Sequence, residues 1–419
     1  MSNDKKLLKE KAFSVVYPNE AFDDAKIRQS MYFLMKALED YLLYKNMKEE
    51  ETKNAVALAN IYRKRKLEKL WNKTIKAAKI DCLKQPYRDS DFHQKMYLIS
   101  REEYEFAEIQ KRTDAQKKLK DLTESFSKYY LSEEVILFCM NLSIPKTEDY
   151  EVFTKASLKY IENSDFNNSP SIDIYYCIYK VFTENDFSTF SSLKNKLIDY
   201  KKNFQKDELR EIYLITINYC IRQMNMGNKK FLREAFDLYK SGIEDSLLMK
   251  NRIIDRFLFR NIVSAGVLLK EFVWVENFIK NNQKFLDDEH RENYTTFCLA
   301  DLYYHRKDYK KAMQFLAAYE YDDILLNLNS RVKLIKMYYE LEEANALEAL
   351  IESSKIYIRR KKGIAENYRV AYNNIIKYTQ KLLRVNPYDK EKKAKLREEI
   401  QAANPLIEKQ WFLERLEQL

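Results

Sequence analysis

The residues best suited to chemistry are the cations of segment 62–79, YRKRKLEKLWNKTIKAAK, where eight Lys or Arg accompany a single acid. On a helix, steps of three and four put Lys66, Lys69, Lys73 and Lys76 on one side. Such a row can follow the phosphates of a nucleic acid, lie on an anionic membrane surface or be the solvated side of a core helix. The nucleic-acid interpretation uses Arg63, Arg65, Lys66, Lys69, Lys73 and Lys76.

The same segment carries an apolar side, which we expect to pack in a core. The residues that share it at helical spacing are Leu67, Leu70, Trp71, Thr74 and Ala78. The helix that positions all of these side chains is predicted to run from about residue 54 to about residue 80.

Groups suited to catalysis or metal binding are scarce. The chain has only three histidines, His93, His290 and His305, and no H-E-x-x-H motif. His305 is expected to cap the end of its helix. No G-x-S-x-G nucleophile motif occurs either. The sequence therefore predicts no metal site, no cofactor and no enzyme activity.

Glycine and proline are rare, with 4 Gly and 6 Pro in 419 residues. Average usage is roughly 7% Gly and about 5% Pro. Sheets joined by tight turns need residues that tolerate positive φ, whereas helices are weakened by both glycine and proline. An all-α fold is therefore predicted. The four glycines are too dispersed for a G-x-G-x-x-G or P-loop nucleotide site.

Composition also bears on the environment of the chain. It is 46% hydrophobic and 33% charged, which allows a sizeable core, and its net charge of +10 permits a polyanionic partner. The five cysteines are widely spaced, and four lie in apolar runs, so we expect buried, reduced thiols and a cytoplasmic location. No apolar run is long enough to predict a membrane span.

Three regions are predicted along the chain: an N-terminal helical region, 1–145, helical repeats over 146–385, and capping helices over 386–419. In the first region, a helix over Phe22–Tyr44 carries an apolar face, a long helix covers about 91–130, and another begins at Ser132. The residues of the first helix's face are Ile27, Met31, Leu34, Leu38 and Tyr41. The region ends at Ile144-Pro145.

A repeat of two helices and two short turns is predicted in the second region. An aromatic residue opens the second helix of successive pairs at Phe187, Phe231, Phe272 and Tyr309, at intervals of 44, 41 and 37 residues. Units of this length form stacked arrays, because each pair has an apolar face that it cannot bury alone.

One unit, 294–319, YTTFCLADLYYHRKDYKKAMQFLAAY, resembles a tetratricopeptide repeat. The residues that carry the resemblance are Leu299, Ala300, Tyr303, Tyr309 and Ala312. The pattern is broken at Thr296, Lys307 and Ile324, where the family has tryptophan, glycine and proline. The resemblance covers about 170–360 and implies a right-handed α-α superhelix of stacked hairpins. The Phe22–Tyr44 helix and the C-terminal tail also resemble uncharacterised bacterial proteins of no assigned function.

The resemblance implies a scaffold that binds a protein or peptide, because the first helices of such hairpins line a concave surface. The positions that we expect to contact the partner are Tyr213, Arg256, Tyr303 and Lys336. At the C-terminus, Asn386-Pro387 and Asn404-Pro405 are expected to end helices. The last helix is predicted to close the array with Phe412 and Leu416.

Overall fold

The computed structural model describes residues 8–110, 112–143, 154–163, 169–317 and 323–419. Over these ranges the chain forms twenty α-helices and no strand, which confirms the all-α prediction. The predicted boundary at Ile144-Pro145 lies outside the described residues.

The chain divides into two compact units, Met1–Tyr219 and Cys220–Leu419. The helices of unit 1 are α1 (Lys9–Val16), α2 (Asp24–Glu49), α3 (Glu51–Lys64), α4 (Glu68–Lys84), α5 (Ser90–Gln110), α6 (Arg112–Ser143), α7 (Thr154–Glu162), α8 (Pro170–Glu184), α9 (Phe187–Asp199) and α10 (Lys206–Asn225), of which the last extends past the division. Those of unit 2 are α11 (Lys230–Glu244), α12 (Arg256–Leu268), α13 (Phe272–Asn282), α14 (Asp288–His305), α15 (Tyr309–Ala317), α16 (Ile324–Glu340), α17 (Ala344–Arg360), α18 (Glu366–Arg384), α19 (Lys390–Ala402) and α20 (Lys409–Gln418).

Unit 1 is a set of helices packed mainly against their neighbours in sequence. Helices α3 and α4 pack together and against α5, α5 packs on α6, and α6 packs on α7 and α8. The predicted helix start at Ser132 is wrong, because α6 continues through it to Ser143. Leu131, Val135 and Cys139 lie on one buried face there, so packing holds the helix together across the serine.

The segment predicted as one helix over 54–80 is two helices, α3 and α4. Lys66 has φ 59°, the left-handed conformation that ends a helix. Its N–H donates to the Arg63 carbonyl, and the Leu67 N–H donates to the Tyr62 carbonyl. The chain therefore turns between the two groups of cations that the sequence placed on one helix.

Unit 2 contains the predicted helical hairpins α12/α13, α14/α15 and α16/α17. Within each hairpin the two helices pack together, and the second helix of the first two hairpins packs on the next first helix. The first helices also contact one another in the order α12, α14, α16. Each hairpin is thus covered by its neighbour, as the sequence repeat requires.

In the unit that resembles a tetratricopeptide repeat, small residues lie where the two helices of the hairpin pack together. Ala300 on α14 and Ala312 on α15 are fully buried in one apolar cluster with Tyr304, Leu316 and Met337. Side chains without bulk at these two positions let the helices of the hairpin approach closely. Residues 318–322, which include the end of the predicted unit, lie outside the described residues.

The turns between the paired helices repeat one hydrogen-bond pattern without glycine. Lys270, Lys307 and Glu342 adopt φ of 62°, 65° and 59°. The N–H of Lys270 donates to the Val267 carbonyl, and the next N–H donates to the Gly266 carbonyl five residues back. The other two turns form the same pair of bonds, which is the Schellman helix ending. Lys307 thus occupies the left-handed position where the tetratricopeptide family has glycine.

The C-terminal helices pack on the last hairpin, as predicted. Phe412 and Leu416 are buried in one cluster that includes residues of α16, α17 and α18. Trp411 is also buried, and its Nε1 donates to a Glu340 oxygen at 2.7 Å. The predicted division at 385/386 falls in the turn between α18 and α19, and helices on both sides of it contribute to this one core.

Replacing Lys270 by glycine should stabilise unit 2. Lys270 is exposed and holds a left-handed φ, which costs a residue with a Cβ about 1–2 kcal/mol, while glycine's greater freedom in the unfolded chain offsets about half of that. We expect Lys270→Gly to raise the free energy of unfolding by about 0.5–1 kcal/mol in chemical denaturation. Lys270→Val should lower it. A lower value for the glycine variant would contradict the assigned turn.

Candidate functional site

The basic segment separates into a structural part and an exposed part. Arg65 and Lys66 lie in the turn after α3, and Lys69, Lys73 and Lys76 lie on the solvent side of α4. All five side chains are exposed, and none forms an ion pair with another residue of the described ranges. These five cations are therefore exposed to solvent at the surface of unit 1.

Arg63 belongs to the structural part. Its side chain is 12% exposed, and its Nε donates to Glu102 Oε1 at 2.8 Å, while its Nη2 also pairs with Glu105. The Trp71 indole donates to the same Glu102 oxygen at 2.9 Å and stacks on Phe106 with ring centroids 3.7 Å apart. This network joins α3, α4 and α5, so the Arg63 guanidinium is committed to the fold.

The apolar side of α4 differs from the one that the sequence predicted. Trp71 and Ala78 are buried as expected, but Leu67 and Leu70 are 41% and 45% exposed. Ile75 and Cys82 complete the buried face instead. Leu67 lies before α4, which begins only at Glu68, so the turn at Lys66 separates it from the face of that helix.

The four positions expected to contact a partner are engaged in packing. Tyr213 is buried, as is Lys336, whose Nζ donates to Glu408 Oε2 at 2.8 Å. Arg256 contacts His290 and lies over the Phe257 and Tyr294 rings. Tyr303 stacks on Phe315 with ring centroids 5.7 Å apart. Arg256, Tyr303 and Lys336 do lie on the first helices α12, α14 and α16, but what they contact is their own unit.

A cleft of about 690 Å³ in unit 1 contains His93, Arg88, Lys128 and Ser169 in its lining. His93 Nε2 and Ser169 Oγ are 2.8 Å apart. Burial, with the charges of Lys128 and Arg88, lowers the pKa of His93 to about 4, so the ring is neutral at physiological pH. Over the described ranges no carboxylate bonds to this ring to orient it as a catalytic base. The pair is explained as a buried histidine satisfied by a serine.

Other titratable groups are also explained by burial. Burial raises the pKa of Glu208 to about 8, and the nearby Asp89 carboxylate adds to the effect. The five cysteines are buried free thiols, as expected from their apolar context. His305 Nδ1 donates to the Asp301 carbonyl at 2.9 Å in the last turn of α14, as predicted. No cluster of three or more His, Cys, Asp or Glu in the described ranges is arranged to hold a metal ion.

Helix α2 exposes many large apolar side chains, and packing within the described ranges does not account for them. It is a helix of 26 residues, well capped by Asp23, whose side chain accepts from the Ala25 and Lys26 N–H groups. Ile27 is its one buried residue. Its other large apolar side chains are between 47% and 70% exposed, and they are Met31, Tyr32, Phe33, Leu34, Met35, Leu38, Tyr41, Leu42, Leu43, Tyr44 and Met47.

The intramolecular contacts of α2 are concentrated at its ends. Near its start α1 packs on it, Tyr17 shares a 2.7 Å hydrogen bond with Ser30, and Ile27 is buried. Near its end α3 follows after one residue and packs on it. The sequence predicted the apolar face of this helix but not what lies against it. Exposure is a tertiary property, so the pattern alone could not show that the face lacks a cover.

Comparison of the chain with protein-family models, with curated proteins and with solved structures found no match. None of the helices in the described ranges has the length and apolar character needed to cross a membrane. The candidate functional surfaces therefore rest on geometry: the apolar surface of α2 and the exposed cations of the α3–α4 turn and α4.

Replacing Arg63 should destabilise unit 1, whereas replacing Arg65 should not. Arg63→Met leaves the Glu102 carboxylate, 4% exposed, without its cation, although Trp71 still donates to it. We expect a loss of about 2 kcal/mol in the free energy of unfolding, measured by chemical denaturation. Arg65→Met removes the same charge from an exposed site and should change stability by less than about 0.5 kcal/mol. Equal effects of the two substitutions would refute the structural role of Arg63.

Proposed function

We propose that the protein is a non-catalytic scaffold that binds another protein, and that α2 is the principal binding surface. The observation that supports this is the run of large apolar side chains left exposed along α2. Soluble monomers rarely expose a contiguous apolar surface of this kind, and such surfaces are typical of interaction sites. Aromatic and Met side chains, which are abundant here, are also enriched at protein interfaces.

The repeat region provides a framework for such a role. We infer that the hairpins of unit 2 form a right-handed superhelix of the tetratricopeptide kind, because first helices contact first helices and the turns share one geometry. In this proposal the repeat surface contributes to partner binding at exposed positions rather than at the four positions first expected. The buried thiols suit a reducing cytoplasm, which we propose as the location.

A quantitative pull-down tests the proposal. The tagged full chain is used under native conditions in extract of the source cells, with and without nuclease, and bound proteins are quantified by mass spectrometry. The Leu34→Asp/Leu38→Asp variant should lose at least about 90% of a specific partner, since each buried carboxylate costs several kcal/mol.

The matched control is Gln29→Asp/Asn46→Asp, which adds the same charge to α2 but keeps every apolar side chain. It should retain the nuclease-resistant partner. Circular dichroism should show equal helix content in all three proteins, because all four substituted side chains are exposed. The scaffold function through α2 fails if the wild type and the Leu variant retain the same proteins in equal amounts.

A second candidate is a nucleic-acid-associated protein, and the five exposed, unpaired cations favour it. Arg65, Lys66, Lys69, Lys73 and Lys76 can contact phosphates without breaking an internal ion pair, so the earlier set is kept except for Arg63. A membrane surface is the third interpretation of this segment, and no observation favours it over nucleic acid.

Fluorescence anisotropy with labelled single- and double-stranded nucleic acid tests this candidate. Binding should weaken steeply as salt rises, and Lys69→Glu/Lys73→Glu/Lys76→Glu should weaken it more than about tenfold. Lys361→Glu/Lys362→Glu/Lys390→Glu changes the net charge equally in unit 2 and should have a small effect. Binding that is absent, or that both triple variants weaken alike, would rule out a site on α4.

A further inference from the structure

We propose that α2 pairs antiparallel with α2 of a second copy of the chain, so that the protein is a dimer. The inference rests on the proposed function in taking α2 as an interaction surface, and it names the occupant of that surface. It is carried by the spacing of the apolar side chains, by the charges that continue their line, and by the contact that already covers its first turn.

The apolar side chains of α2 follow the spacing of a coiled-coil seam. Met31, Leu34, Leu38 and Tyr41 are separated by three, four and three residues. Ile27, four residues before Met31, continues the seam, and it is buried where α1 packs on the helix. The seam is thus buried in the first turn of α2 and exposed over the next three turns. One further helix packed against those three turns would bury the rest of the seam.

The charges at the two ends of the seam select the orientation. Continuing the same spacing reaches Asp24 at the start of α2 and Lys45 and Lys48 near its end. In a parallel pair each of these residues would face the same residue of the second copy. Two layers, at positions 45 and 48, would then place lysine against lysine. Like charges at such positions are unfavourable and select against a pairing.

An antiparallel pair removes that conflict. With Leu34 opposite Leu38 of the second copy, the same register places Met31 opposite Tyr41. It also places Lys45 and Lys48 opposite Ile27 and Asp24, so that no lysine faces lysine. The apolar layers then lie at the centre, and each end brings Lys48 of one copy to Asp24 of the other, a carboxylate that also pairs with Lys9 and Arg28 of its own chain. The macrodipoles of the two helices also oppose each other in this arrangement, which is favourable.

The charge distribution of α2 disfavours a lipid surface as the occupant. Helices that lie on membranes carry a polar side rich in Lys and Arg. The cations of α2 are instead almost balanced by acids, two of which, Glu39 and Asp40, lie in the middle of the helix. Its charged residues are Lys26, Arg28, Lys36, Lys45, Lys48, Asp24, Glu39, Asp40 and Glu49.

Sedimentation of the full chain over a wide range of concentrations tests the pairing. The wild type should be a dimer, and Leu34→Asp/Leu38→Asp should dissociate it, weakening association by more than about 100-fold, with unchanged helix content. Tyr32→Asp/Leu43→Asp places the same charges on the opposite side of α2, at equally exposed residues, and should remain dimeric. A monomeric wild type, or a dimer that survives the Leu34/Leu38 change, would overturn the proposal.

Disulfide formation tests the orientation. The five native thiols are buried, so an introduced exposed cysteine is the reactive one. A mixture of Met31→Cys and Tyr41→Cys chains should give the mixed disulfide, while each variant alone should cross-link poorly. Efficient cross-linking of each variant with itself would show a parallel pair and overturn the antiparallel one.

The outcomes separate this inference from the scaffold function. A monomer that captures a different protein through Leu34 and Leu38, or that binds anionic vesicles through them, overturns the second copy as the occupant. The protein-capture result leaves the scaffold function standing. A dimer through α2 that captures no other protein supports this inference and removes the scaffold function.

Discussion

The constraint that organises this molecule is that each helix has an apolar side wider than one neighbour can cover. In unit 2 the answer is repetition: α14 lies against α15 within its hairpin and against α12 and α16 on either side. The last hairpin is covered by α18 and α20, which close the stack with Trp411 and Phe412. The same constraint is left unsatisfied along α2, which is why we propose that helix as an interaction surface.

Both units contain buried carboxylates that ion pairs and hydrogen bonds stabilise in their charged form. Burial alone would raise the pKa of Asp301, but Lys333 Nζ at 2.5 Å and His305 lower it overall, so the carboxylate stays charged inside unit 2. Glu340 accepts from the Trp411 indole and the Tyr309 hydroxyl and links α16 to α20 and α15. In unit 1, Glu102 does the same for α3, α4 and α5. These networks explain why several cations that look available in the sequence are occupied in the fold.

Helix endings show how this fold manages almost without glycine. A Schellman ending needs a left-handed residue, and lysine and glutamate adopt it at 270, 307 and 342 because two backbone hydrogen bonds and the packed hairpin hold them there. At 227, where one of the four glycines ends α10, the same pair of bonds forms with φ of 93°. At the other three turns a residue with a Cβ adopts the left-handed conformation, and each of these turns carries the conformational free-energy cost of doing so.

The sequence by itself determined the all-α class, the positions of most helices in 170–419, the burial of the thiols and the C-terminal closure, because apolar periodicity and the scarcity of glycine are local properties. The break of the basic helix at Lys66 was missed, although it is a local feature of the chain. The sequence could not determine that Arg63 serves Glu102 or that Lys336 is buried against Glu408, since these partners lie 39 and 72 residues away in the chain. Nor could it show that the face of α2 lacks a cover. An apolar stripe reads the same whether a core or solvent lies opposite it, and only the tertiary structure decides which.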